Sequence, residues 1–291
     1  MSRFKCTGVK KAYRENVVLD GIDLTIEQGK IYGLIGRNGA GKTTLMSVMT
    51  AQTPADSGEI TLDDMPVWEN REALDHLCFS REISIQETGW SGVSRVKNLL
   101  EIASMFYPNW DDQKAERILT AYHINRNDHL KKLSKGMLSI VTIAIGMASG
   151  ADITILDEPT AGLDVIARKE FYKMVLSEAE SGRTFVISTH IIEEAADVFE
   201  EVIFLHEHKI LLKENTVDLL DRCRRVTGKA EVVEEATAGL TIAGAENIGR
   251  SRNVTVMLNE GERIPDGCDV TIQPVSLQDL FIALCGGEDS L

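Results

Sequence analysis

The sequence has no apolar run of the roughly 20 residues needed to cross a bilayer. Its longest candidate, Ile140 to Ala148, falls far short, so the chain does not span a membrane alone. Met1 to Lys11 lacks the apolar core of a signal peptide, and secretion by that route is not expected. Cysteine is scarce: Cys6, Cys78, Cys223, Cys268 and Cys285 are odd in number, widely spaced and form no CxxC pair. That excludes a zinc ribbon or disulfide framework and leaves reduced thiols, as in a cytosolic protein. Basic residues are in deficit, 31 Lys and Arg against 45 Asp and Glu, for a net charge of −14. Nucleic acid needs a basic surface, so it is excluded as the main partner. Internal repeats and low-complexity segments are absent as well.

What remains is the texture of a globular chain of 291 residues, 43% hydrophobic and 26% charged, long enough for one large domain or two smaller ones. Ile22 to Ile26 alternates as a half-buried strand does. Ile31–Ile35, Ile153–Leu156 and Thr184–Ser188 are short apolar runs, as buried strands require. Helical spacing predicts a mostly helical stretch from Val93 to Tyr122, interrupted at Pro108-Asn109 and restarted at Trp110-Asp111-Asp112. Further helices are expected over Ser134–Ala148 and Leu163–Glu180, with another beginning at Ile191–Val198. This alternation predicts an α/β core with a largely parallel sheet. Beyond Lys213 the texture changes. A helix is expected over Glu214–Arg225, strand segments at Glu231–Val233, Leu240–Ile242 and Val254–Leu258, and a closing helix over Ser276–Leu284 with Ser276 as its cap.

The most specific motif is Gly36-Arg37-Asn38-Gly39-Ala40-Gly41-Lys42-Thr43-Thr44, a GxxxxGK[ST] pattern between an apolar strand and a helix. Its glycines let the backbone wrap a phosphate chain, and successive N–H groups at the helix start face the anion. Lys42 is expected to reach the β- and γ-phosphates, and the Thr43 hydroxyl to ligate Mg²⁺. A second element, Ile153-Thr154-Ile155-Leu156-Asp157-Glu158, ends a buried strand in two adjacent carboxylates. Burying an unpaired carboxylate is costly, so a cation or donors should stand nearby. Asp157 suits Mg²⁺, directly or through water, and Glu158 can polarise an attacking water.

Between and after these motifs, Leu133-Ser134-Lys135-Gly136-Met137 resembles the signature motif of ABC ATPases, usually Leu-Ser-Gly-Gly-Gln. Pro159-Thr160-Ala161-Gly162-Leu163-Asp164 is similar to the start of that family's D-loop, and His190 to its switch histidine. Tyr13 precedes the phosphate loop at a distance suited to stacking on adenine. The resemblance covers residues 13 to 190. It implies a phosphate-loop ABC ATPase core over residues 1–212, with a helical subdomain at about 90–150; the change of texture beyond Lys213 predicts a small α+β accessory domain over 213–291. It also implies ATP and Mg²⁺ as ligands, a second ATPase subunit (a homodimer is expected) and a separate transmembrane permease. The chain would then be cytoplasmic and peripheral, touching the membrane only through that permease. In such a dimer Ser134, Lys135 and Gly136 meet the γ-phosphate held by the opposite subunit. Lys42, Glu158 and His190 serve hydrolysis, His190 holding the γ-phosphate and orienting water or Glu158.

The sequence departs from the family pattern twice. Lys135 and Met137 replace glycine and glutamine in the signature; Lys135 either adds charge near the partner's nucleotide or is a solvated helix-start lysine. The glutamine that senses Mg²⁺ falls on or near Glu82, with Gln86 as the other candidate; Glu82 is preferred because it too can ligate Mg²⁺. Trp90, Phe106, Tyr107 and Trp110 concentrate aromatics where the family receives its permease, although core packing explains them equally well. The signature form, the acidic residue at 82 and the C-terminal appendage resemble bacterial exporters with ABC-2-type permeases, extending to antimicrobial-peptide and phenol-soluble-modulin exporters. A non-transport assembly or regulatory ATPase is the alternative.

Overall fold

The computed structural model describes residues 3–83, 93–265 and 267–286, and within them three sheets organise the chain. The first is antiparallel, in the order β2-β1-β4-β5, from β1 (Arg3–Tyr13), β2 (Asn16–Glu27), β4 (Ser57–Leu62) and β5 (Met65–Pro66). Phe4, Leu19, Ile22 and Ile26 alternate inward from it. The second sheet is the framework of the site. Its order is β10-β9-β3-β8-β7-β6, from β3 (Ile31–Ile35), β6 (Leu77–Ser80), β7 (Ile153–Asp157), β8 (Thr184–Ser188), β9 (Glu201–His206) and β10 (Lys209–Asn215). All its pairings are parallel except that of β10 with β9. Every residue of β3 and β8 is buried, as continuous apolar runs between two covered faces demand. Parallel strands align their C-terminal ends, so the loops after β3, β7 and β8 open on one edge.

The helices of this half are α1 (Lys42–Met49), α2 (Arg71–Leu74), α3 (Val96–Phe106), α4 (Asp112–Ala121), α5 (Lys135–Ala148), α6 (Val165–Glu180) and α7 (Ile192–Ala195). The break at Pro108 falls as expected, and α4 restarts with the Asp111 carboxylate accepting from the Lys114 N–H at 2.8 Å. Arg183 fastens α5 to the sheet. Its guanidinium donates to the carbonyls of Gly146, Met147 and Ala151, to the Thr154 hydroxyl and to the Glu178 carboxylate. These bonds satisfy carbonyls that the helix end leaves open.

The third sheet follows α8 (Thr216–Asp221). It takes the order β12-β13-β11-β14, from β11 (Cys223–Lys229), β12 (Thr241–Ile248), β13 (Ser251–Met257) and β14 (Val270–Pro274), with α9 (Ala230–Ala236) and α10 (Leu277–Cys285) packed on it. Two expectations fail here. Glu231–Val233 lies in α9, because Val233 and Ala236 bury one stripe at helical spacing and Glu231 suits the positive end. The helix expected over Glu214–Arg225 is shortened at both ends. Asn215 caps it by accepting from Val217 and Asp218, and from Cys223 the chain pairs as a strand between β13 and β14.

Ser276 does cap the last helix, accepting from the Asp279 N–H at 3.1 Å. Helix α10 crosses β12 at Gly244, where a Cβ would fall 2.6 Å from the Ala283 carbonyl oxygen. Its other contacts reach the framework: Phe281 packs edge-on to Phe204 of β9 at 5.4 Å, and Leu277 and Leu280 share one core with Ile192 and Phe199. The described residues contain no helix long and apolar enough to cross a membrane.

Candidate functional site

The phosphate-loop motif leaves β3 at Gly36 and enters α1 at Lys42. Gly36 is buried, and a Cβ there would meet the Leu205 carbonyl oxygen at 2.6 Å. Gly39 and Gly41 take φ of 82° and 105°, open only to glycine at low cost. Arg37, Asn38 and Gly39 are exposed and Ala40 and Thr44 partly so; the Ala40 N–H closes the turn onto the Arg37 carbonyl at 3.1 Å. No side chain caps α1, and its first turn holds no acid. Its first N–H groups and the ammonium of Lys42 therefore fit an anion. Lys42 folds back over the loop, donating to the Gly36 and Arg37 carbonyls at 2.7 and 3.3 Å. Burial lowers its pKa, against the opposing pull of Glu158 and Asp157.

The strand ends beside this loop carry the carboxylates. Thr43 Oγ1 donates to Asp157 Oδ2 at 2.6 Å, and Ser188 Oγ donates to Asp157 Oδ1 at 2.6 Å. Ser188 Oγ also accepts from the Glu158 N–H at 2.9 Å. Glu158 sits at φ 49°, a left-handed backbone that disfavours side chains by about 1–2 kcal/mol. That turn sends its carboxylate away from Asp157 and toward His190, whose Nδ1 lies 2.6 Å from Oε2 and whose backbone N–H donates to the same oxygen at 3.3 Å. Ser188 was not singled out by sequence reasoning. A serine ending a strand gives no signal until the neighbouring strand is in register.

A Thr43 hydroxyl against the Asp157 carboxylate is a hard-oxygen pair of the kind Mg²⁺ takes. Among the described residues no three His, Cys, Asp or Glu side chains gather as a metal cage.

The signature residues lie at the start of α5. Ser134 caps it, its hydroxyl accepting from the Met137 N–H at 3.2 Å. Gly136 is pressed on the D-loop segment, where a Cβ would meet the Gly162 carbonyl oxygen at 2.5 Å. Ser139 Oγ donates to the Ala161 carbonyl at 2.6 Å. Lys135 does not stand alone: its ammonium lies 3.2 Å from Glu82. Tyr13 ends β1, 48% exposed, with the Lys11 ammonium 5.6 Å from its ring centre. The partner strand of that hairpin touches the phosphate loop, the Val18 carbonyl oxygen lying 2.8 Å from where a Gly41 Cβ would be. Phe106 is 68% exposed, and Tyr107 and Trp110 are partly buried; Gln86 and Trp90 lie outside the described residues.

The chain is similar to known proteins over most of its length. A family model described as ABC transporter matches residues 19–161. The ATP-binding protein YtrB of Bacillus subtilis is 26% identical over 292 residues, covering 96% of this chain and 97% of its own. AlbC of the same organism is 30% identical over 205 residues, covering 68% of this chain and 84% of its own. The bacitracin transport ATP-binding protein BcrA of Bacillus licheniformis is 29% identical, with 97% of each chain covered. Among solved structures, a dimeric ATP-binding cassette bound to ADP and Pi superposes with a TM-score of 0.63 at 21% identity, over 73% of this chain and 98% of that one. An ATP-binding subunit of an ABC transporter gives 0.65 at 21% identity, over 75% and 92%.

Proposed function

Because this chain belongs to the ABC transporter ATP-binding family, we propose that its site hydrolyses ATP to power export through a separate transmembrane permease. The observation that carries the reading is one run of hydrogen bonds from Thr43 through Asp157 and Ser188 to Glu158 and His190. It puts a metal-binding pair and a base-like pair side by side at the mouth of the phosphate loop.

The residues divide the work. Gly36 to Thr44 wrap the triphosphate, and Lys42 exchanges its two loop carbonyls for the β- and γ-phosphate oxygens. Thr43 and Asp157 would hold Mg²⁺, with Glu82 as a further oxygen donor; when bound, the ion neutralises charge on the phosphates. Glu158 accepts the proton of the attacking water, and His190 fixes its carboxylate and meets the γ-phosphate. Tyr13 stacks on the adenine. Ser134, Lys135 and Gly136 face the γ-phosphate held by a second copy, so ATP joins two chains head to tail and its cleavage releases them.

In this reading residues 1–212 form the ATPase unit, with a helical subdomain at about 90–150, and 213–291 the accessory unit. The cargo is an amphipathic or antimicrobial peptide, an assignment supported by the names of relatives that serve bacitracin and lantibiotic transport. The test is purification from detergent-solubilised membranes followed by an ATPase assay with Mg²⁺ and candidate peptides. A co-purifying integral membrane protein and peptide-stimulated turnover are expected. ATP turnover with no membrane partner would instead favour a cytosolic regulatory ATPase.

A further inference from the structure

The two charged departures from the family pattern, far apart in sequence, meet in space. Lys135 stands where the signature has glycine, Glu82 where a glutamine is usual, and Lys135 Nζ lies 3.2 Å from Glu82 Oε1. The lysine stem is seated, its Cγ about as close as the D-loop permits: a Cβ on Gly162 would fall 3.0 Å from it. The charged head is held much less firmly. Both side chains are more than half exposed, 57% and 56%, and ion pairs at such exposure are screened and weak. Helix α5 gives the lysine no help, since its first turn has no acid and a cation at that end opposes the helix dipole. The arrangement is a fixed stem carrying an ammonium on a replaceable carboxylate.

We propose that Lys135 exchanges Glu82 for the terminal phosphate of ATP bound by a second copy of this chain. The proposal rests on the head-to-tail dimer above and adds what Glu82 does in it. Glu82 holds Lys135 while the facing site is empty, and a triphosphate, with its greater charge, takes the lysine when that site fills. Glu82 is then freed on the side of its own nucleotide, so filling one site is felt at the other. Such coupling is necessarily reciprocal.

The test measures ATP-driven self-association by sedimentation in a Glu158→Gln parent, which is expected to retain nucleotide. Lys135→Ala is expected to weaken association about tenfold. Glu82→Gln keeps an oxygen donor but removes the competing charge, and is expected to strengthen association about threefold. The double variant should match Lys135→Ala alone, because the glutamine keeps an oxygen toward Mg²⁺ and the substitution therefore changes association only through the lysine. Unaltered association in Lys135→Ala, or a Glu82→Gln effect that persists without Lys135, overturns the exchange and leaves the dimer standing. A parent that does not associate with ATP overturns the head-to-tail reading and the exchange together.

Discussion

His190 Nδ1 stands 2.6 Å from Glu158 Oε2, and the His190 N–H reaches the same oxygen at 3.3 Å. Both contacts fall on one carboxylate oxygen, so in the proposed reaction Oε1 is the atom left to take a proton from water, and the histidine fixes which lone pair is presented. His190→Ala is expected to lower kcat on the order of a hundredfold, the usual penalty for misplacing a reacting group by about 1 Å. Steady-state kinetics should show KM for ATP changing much less. An unchanged kcat would remove His190 from the site.

Lys42 is buried, and its removal separates binding from folding. Its folded pKa is depressed by burial, so between that value and the unfolded value of about 10.4 the unfolded chain binds more protons. The charging penalty is therefore fully present below the folded pKa and is relieved as pH rises through this window. Lys42→Ala should leave the melting temperature without nucleotide within a few degrees and flatten its pH dependence above neutrality. The stabilisation by ATP, about 2.7 kcal/mol at a hundredfold excess over Kd, should vanish. Thermal melts with and without ATP check both parts.

Gly136 touches the D-loop without room for a side chain, its Cβ position lying 2.5 Å from the Gly162 carbonyl oxygen. Gly136→Ala must push the start of α5 from that loop, at about 1–3 kcal/mol. The expected result is a folded chain with a lowered melting temperature and impaired turnover. Normal turnover would mean that the signature and D-loop need not touch.

Arg183 is a matter of stability alone. It is 9% exposed and satisfies three carbonyls, two hydroxyls and the Glu178 carboxylate. Arg183→Ala should destabilise by about 3–5 kcal/mol, and Arg183→Lys should rescue little, since an ammonium lacks the planar fork. Burial alone would push the Glu178 carboxyl up, but Lys114 and Arg183 outweigh it and hold it below its usual range. Its contribution is thus present above the unfolded pKa of about 4.3 and lost as pH falls through the folded value. Denaturant melts between neutral and acid pH should show that loss in the parent and not in Glu178→Gln.

Much of this was readable because each motif carries its own geometry. The glycines of the phosphate loop, the apolar run into Asp157 and the cap at Ser134 signal a local shape whatever surrounds them. Residues 231–233 misled because two adjacent valines look like a strand, whereas the buried stripe Val233–Ala236 becomes visible only once the sheet lies against it. Ser188 and Arg183 were missed for a related reason. Ser188 meets Asp157 through the register of β7 with β8, and Arg183 meets its carbonyls where the end of α5 packs beside the sheet, and neither partner is near in sequence. The same holds for Glu82 and Lys135, two separate oddities in sequence that prove to be one contact.

The most direct test of the account is the turnover of Glu158→Gln, measured alongside its bound nucleotide. The account predicts ATP retained at near-normal affinity while hydrolysis falls by a factor on the order of 10²–10⁴, the worth of a positioned general base. Near-normal hydrolysis in that variant would contradict it, since the proton of the attacking water would then be taken by some other group.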